Sequence, residues 1–216
     1  VVPIRPTTAD ALRAELAATL GAYRPDQWLR VAVDGAPPAH PDALADGLVD
    51  PLRLRGRPVL PVRAADFLRP ASLRFEHGRT DPDALWSDWL DVGGLTREVL
   101  DPLGPGGSGR VLPALWDAAA DRASRADYVE LPPGGILLVD GSLLLGRGLA
   151  FDLTIHLAMS APALKRHTDA EQQWTLPAYQ RYAERIAPDQ RADVVVLVDH
   201  PERPAIRHNR AVTHRP

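Results

Sequence analysis

Five apolar runs stand out along the chain: Trp28–Asp34, Val59–Arg63, Gly135–Gly141 (GILLVDG), Asp152–Met159 (DLTIHLAM) and Ala192–Asp199 (ADVVVLVD). Each is nearly continuous in Val, Ile and Leu rather than alternating with polar residues. That pattern predicts strands buried on both faces, as in a parallel sheet covered by helices. Between them the apolar spacing turns helical. Thr8–Ala22 reads as a helix with Thr8 or Asp10 near its start and Pro25 as a stop signal, and a second helix opens near Asp42. Further helical segments are expected near Asp81–Leu90, Leu95–Leu100 and Pro162–Arg185. Strands alternating with helices predict an α/β, doubly wound sheet of five mostly parallel strands flanked by helices, in one domain.

The stretch from Asp66 to Pro133 breaks this rhythm with proline, glycine and charge, which makes it the expected home of substrate loops. Within it, Gly104–Gly109 follows Leu100-Asp101-Pro102-Leu103 rather than a strand and reads as a flexible loop. Trp86 and Trp89, three residues apart on one helix face beside Leu85 and Leu90, are expected to pack rather than to stack on a ligand. Tyr179, Tyr182 and Ile186 share the spacing of an amphipathic docking helix. From Arg203 onward the chain is basic. His208 and His214 lie there six apart with no carboxylate partner, so disorder is expected and a metal site is not.

Composition narrows the function classes. With 216 residues, 45% hydrophobic, the chain can bury one substantial core. A formal net charge of −3 and a pI near 6.2, with no basic run interleaved with aromatics, give no reason to expect nucleic-acid binding. There is no cysteine, which excludes thiolate catalysis, disulfides and cysteine zinc sites. Neither a signal-peptide pattern nor a long uninterrupted apolar segment appears, so a cytoplasmic protein without a membrane partner is expected.

Candidate chemistry begins at Val31–Ala45, VAVDGAPPAHPDALA, an apolar strand, a tight turn and a helix start. This is the layout in which G-x-x-x-x-G-K-[ST] cradles phosphates. Gly35 fits the first position, but His40 stands for the second glycine, Pro41 for the lysine and Asp42 for the hydroxyl residue. A phosphate loop aims backbone N–H groups and a lysine at phosphate oxygens. Pro37, Pro38 and Pro41 have no N–H. Asp42 places a carboxylate at the positive end of the helix, where a phosphate would sit. The sole lysine of the chain is Lys165.

Several elements in order now carry a family resemblance. Arg30–Gly35 (RVAVDG), Ala65–Pro70 (ADFLRP), the proline- and glycine-rich Leu100–Arg110, Leu115-Trp116-Asp117 and Leu137–Gly141 (LLVDG) resemble the uridine kinase and phosphoribulokinase group of P-loop kinases, in an actinobacterial-type branch with a degenerate phosphate loop. The likeness spans about Trp28–Ile206. It implies a P-loop NTPase-type domain over 28–206 with a short lid at about 162–187, preceded by an N-terminal helix (1–27) and followed by a flexible basic tail (207–216).

Carried over residue by residue, the resemblance implies Gly35, His40 and Asp42 at the phosphate loop. In such kinases an aspartate leaving the second strand is the general base; aligned on Phe67 that position is Ala65, with Asp66 adjacent and, along an extended chain, facing away. Asp140 matches the acidic residue that often organises Mg²⁺. Nucleoside and phosphate contacts are implied for Phe67, Arg69, Arg74, His77, Arg79, Asp117 and Arg122, and lid contacts for Lys165, Arg166, Arg181 and Arg185. The sequence therefore reads as a non-catalytic or non-classical relative binding a nucleoside-like or small anionic molecule. The alternative is an active nucleoside kinase, using ATP and Mg²⁺ with lid basic residues in place of the loop lysine. A third reading is a structural or regulatory partner, acting as a homodimer.

Overall fold

The computed structural model describes residues 3–200 and 202–210. Its centre is a seven-stranded sheet. The strands are β1 (Arg5–Pro6), β2 (Leu29–Gly35), β3 (Val59–Arg63), β4 (Ile136–Gly141), β5 (Leu153–Ala158), β6 (Val194–Leu197) and β7 (Ala205–His208), in spatial order β1-β7-β6-β5-β2-β4-β3. The five strands expected from the apolar runs are parallel, and β7 and β1 extend the sheet antiparallel at one edge. The chain runs from β2 to β3 and back to β4 on one side of β2, then crosses over to β5 and β6 on its other side. The carboxyl ends of these strands form the crevice where open α/β sheets hold ligands.

Strand pleating divides the core. Ile136 and Leu138 of β4 face one layer, with Leu29, Val31 and Val33 of β2; Leu137 and Val139 face the other, with Ala32 and Val195. The first layer is closed by α1 (Ala9–Ala22) and α2 (Pro41–Arg53), which bury Leu12, Leu16 and Leu20, and Leu44, Leu48 and Leu52, at the spacing of one helix face. Thr8 caps α1 by accepting from the Ala11 N–H at 3.2 Å. The second layer is closed by the segment between β3 and β4 and by the lid. Phe67, Leu95, Leu100 and Tyr182 fill it.

Local departures from the sequence pattern have physical causes. The helix expected over Asp81–Leu90 is α3, Pro82–Ser87, capped by Asp81; Leu90 then pairs with Leu68 in an antiparallel bridge, which turns Trp89 off the helix. The lid is broken rather than continuous: α4 (Ala161–His167), a 3₁₀ segment (Ala170–Thr175) and α5 (Leu176–Arg185), with Pro177 tolerated in the first turn of α5. The glycine-rich loop is anchored, since the Gly109 N–H donates to the Pro102 carbonyl at 2.9 Å and its own carbonyl accepts from Leu131 at 2.8 Å. The basic tail expected to be disordered instead supplies β7, and the Asn209 side chain donates to the carbonyls of Asp189 and Ala192 at 2.8 and 2.9 Å. His214 and the rest of 211–216 lie outside the described residues. No helix among the described residues is long and apolar enough to cross a membrane.

Candidate functional site

β2 ends at Gly35 against β5, so closely that a Cβ there would stand 3.0 Å from the Leu157 Cβ. Pro37–Ala39 then form a 3₁₀ turn, in which the Ala39 N–H donates to the Ala36 carbonyl at 2.8 Å and the His40 N–H to the Pro37 carbonyl at 3.0 Å. His40 is left-handed, φ 53° and ψ 55°, at the place of the pattern's second glycine. A non-glycine residue there costs about 1 kcal/mol. The loop keeps its bend, with the Ala39 and His40 N–H groups turned onto its own carbonyls and no N–H at Pro37, Pro38 and Pro41.

Beside this loop, Arg63 at the end of β3 joins two carboxylates. Its Nη1 donates to both oxygens of Asp140 at 3.3 Å, and its Nη2 to Asp46 of α2 at 2.7 Å. Burial pushes the Asp140 carboxyl up to about 6, opposed by Arg63 and reinforced by Asp42 and Asp46. The hydrogen bond to Asp46 raises Arg63 above its ordinary value. The positive charge at this spot thus comes from the chain itself. The loop turns the Ala39 and His40 N–H groups onto its own carbonyls, it has proline at 37, 38 and 41, and Asp140 is paired with Arg63.

Above the loop lies a cleft of about 370 Å³. Gly35, His40, Asp42 and Asp140 line it at the loop end, and Gln172, Trp174, Thr175 and Tyr179 line it from the lid. Trp89 and Trp174 contribute rings 5.7 Å apart at 50°. Trp89 is fixed by its indole N–H, which donates to the Arg74 carbonyl at 3.1 Å. Tyr179 reaches Ser142 at 3.4 Å, and burial pushes its phenol up to about 12. Arg147, also in the wall, donates to the carbonyls of Leu143 and Trp86, and burial lowers its pKa.

The lid is latched to the core by a buried network. Asp34, fully buried near the end of β2, accepts the Leu144 N–H on Oδ1 at 2.9 Å and the Tyr182 hydroxyl on Oδ2 at 2.9 Å, and that same Oδ2 lies 2.7 Å from His156 Nδ1. The Tyr182 oxygen in turn accepts from the Leu145 N–H at 3.0 Å, and burial beside Asp34 raises its pKa. Sequence reasoning placed Tyr182 on the packing face but missed this network. The available signal was an Asp and a His each set inside an otherwise apolar strand.

The structure brings Gly35, His40, Asp42 and Asp140 together in the cleft. Ala65 also lines it while Asp66 does not; the chain there is a 3₁₀ turn, Ala64–Phe67, rather than extended, and burial raises the Asp66 carboxyl. None of the residues expected as substrate contacts lines the cleft. Phe67 is fully buried in the core. Arg74 is buried, donating to the carbonyls of Arg69 and Ala118 at 2.7 and 3.3 Å, and Arg69 pairs with Asp88 at 3.8 Å. His77 and Arg79 are exposed, the latter over the Phe75 ring. Asp117 accepts from the N–H groups of Ala119 and Ala120 in a turn, and Arg122 is exposed on the opposite strand of that hairpin. Arg69, Arg74 and Asp117 thus bond the backbone of their own loop region. Of the lid cations, Lys165, Arg166 and Arg185 are exposed and Arg181 pairs with Asp83; the cleft wall contains none of them. Among the described residues no group of three or more His, Asp or Glu is placed to hold a metal ion.

No family model matches the chain, and no curated protein matches it. Solved structures do. A possible uridine kinase from Bacillus stearothermophilus superimposes with a TM-score of 0.69 at 21% identity, over 86% of this chain and 97% of that one. A candidate fructose transport system kinase from Silicibacter sp. TM1040 gives 0.58 at 24% identity, over 82% and 88%, and the YGR205w protein gives 0.58 at 11%, over 84% and 90%. With its five parallel strands ordered around a central β2 and a crevice at their carboxyl ends, the chain shares the fold of these solved structures.

Proposed function

We propose that this protein is a non-classical relative of uridine kinase-like enzymes, whose cleft holds a small nucleoside-like or anionic organic molecule without transferring phosphate to it. The observation that carries this reading is the ion group Asp46–Arg63–Asp140 beside a loop with Pro41 and Asp42 in the lysine and hydroxyl positions. Phosphoryl transfer depends on positioning and charge neutralisation at the phosphates. Here the cation is already paired and the loop end carries acid. The general-base position is Ala65, which has no proton acceptor in its side chain. The cleft itself remains open, of ligand size and largely apolar in its walls, as small-molecule sites are.

An active kinase using lid cations has less in its favour, because Arg181 is tied to Asp83 and the other lid cations point elsewhere than the cleft wall. Calorimetric titration with uridine and with small organic acids tests the reading, run on the native chain and on Ala65→Trp, which fills the cleft. Saturable binding lost in the filled variant supports it. Binding that survives the filling, or phosphate transfer from ATP to the bound molecule, contradicts it.

A further inference from the structure

We infer that the cleft selects a planar organic molecule carrying a single carboxylate, with Arg147 as the anchor for that charge and Trp89 and Trp174 as the walls for its ring. This rests on the cleft being the binding site, as proposed above, and assigns the class of ligand it takes. Arg147 was not suggested by any sequence motif. It lies in the cleft wall, held at two points by the carbonyls of Leu143 and Trp86, so its guanidinium is pre-positioned rather than swinging freely. Among the described residues no carboxylate lies within ion-pair distance of it. Asp34 and Asp88 act on its charge only from beyond that distance, and its Nη1 has no hydrogen-bond partner among the described residues, so the planar fork keeps a donor that a carboxylate can take.

The rest of the cleft limits how much negative charge can enter. Asp42, Asp46 and Asp140 face a single cation, Arg63, at the loop end, so a doubly charged phosphate monoester would meet net acid there. One negative charge is matched by Arg147 and two are not. The two indoles, 5.7 Å apart and tilted at 50°, offer apolar faces to a flat ring, and Trp89 is fixed by its bond to the Arg74 carbonyl.

The test compares 2-naphthoate with its neutral isostere 2-naphthamide by calorimetry, with uridine and uridine 5′-phosphate beside them, on the native chain, Arg147→Gln and Trp174→Ala. The expected result is that the native chain binds the acid at least about tenfold more tightly than the amide and more tightly than uridine 5′-phosphate, a preference that Arg147→Gln abolishes. Trp174→Ala should weaken acid and amide alike while keeping their ratio. Equal binding of acid and amide overturns the inference, as does uridine binding where naphthoate does not; in both cases the cleft reading survives. Silence from all four probes overturns both. Should Arg147→Gln fail to fold, the acid-to-amide ratio on the native chain decides alone.

Discussion

Arg63 holds both oxygens of Asp140 at 3.3 Å, at the carboxyl end of two neighbouring parallel strands. β3 and β4 pair in a register that sets these two residues side by side. An arginine at the end of one strand therefore meets an acid at the end of the next, in the crevice where this fold places its ligand chemistry. Asp46 of α2 takes the other arm of the guanidinium at 2.7 Å. The arrangement occupies the crevice's arginine from within.

The raised pKa of Asp140 gives the first prediction. An acid with a folded pKa near 6 against an ordinary 3.8 binds its proton more firmly folded than unfolded. Stability contributed by that proton is present at low pH and is lost as pH rises from about 4 to about 6. Subtracting the Asp140→Asn profile from the native one isolates this group: the variant should gain relative to native across that window, by on the order of 2–3 kcal/mol, and the gain should level off above pH 7. Denaturant titrations at stepped pH measure it. A flat difference contradicts the assignment.

The lid latch gives the second. Asp34→Asn leaves Tyr182, His156 and the Leu144 N–H around a group that no longer accepts from all of them, and should cost about 3 kcal/mol. Tyr182→Phe removes one donor and leaves the Leu145 N–H without its acceptor, costing about 1–2 kcal/mol. Because the two side chains share a bond, the double variant should cost less than the two single costs added together. Urea unfolding of the four proteins reads the coupling.

Glycines of the anchored loop separate strain from crowding. A Cβ at Gly107 would stand 2.2 Å from the Pro102 carbonyl oxygen, whereas Gly106, at φ 73°, has nothing within 4 Å. Gly106→Ala is expected to cost about 1 kcal/mol from conformation alone. Gly107→Ala should cost more, about 2 kcal/mol or above, because backbone must move. Similar costs for the two would show that the loop yields freely.

Much of the fold was legible because burial on both faces of a sheet forces continuous Val, Ile and Leu, as in GILLVDG and ADVVVLVD. β1 and β7 were not. A two-residue strand carries no periodicity, and β7 lies in a stretch whose charge reads as a tail; its Arg207 and His208 find their partners only in the folded chain, at Asp189 and Glu15. At the site, Gly35, His40, Asp42 and Asp140 were legible since strand ends announce the crevice. Arg63, Arg147, Trp174 and the Asp34–His156–Tyr182 network were not, because each acts across more than ten residues of sequence through tertiary contact. The resemblance implies nucleoside or phosphate contacts for Arg69, Arg74 and Arg79. Folding directs two of them to Asp88 and to backbone carbonyls and leaves the third on the Phe75 ring.

The central proposal is that this loop does not hold a nucleotide phosphate. The direct measurement is calorimetric titration with ATP and Mg²⁺ of the native chain and of a variant carrying His40→Gly, Pro41→Lys and Asp42→Thr together. The account predicts no saturable heat from the native chain, and binding in the variant once a lysine and a hydroxyl are restored. Saturable, Mg²⁺-dependent binding by the native chain would contradict it.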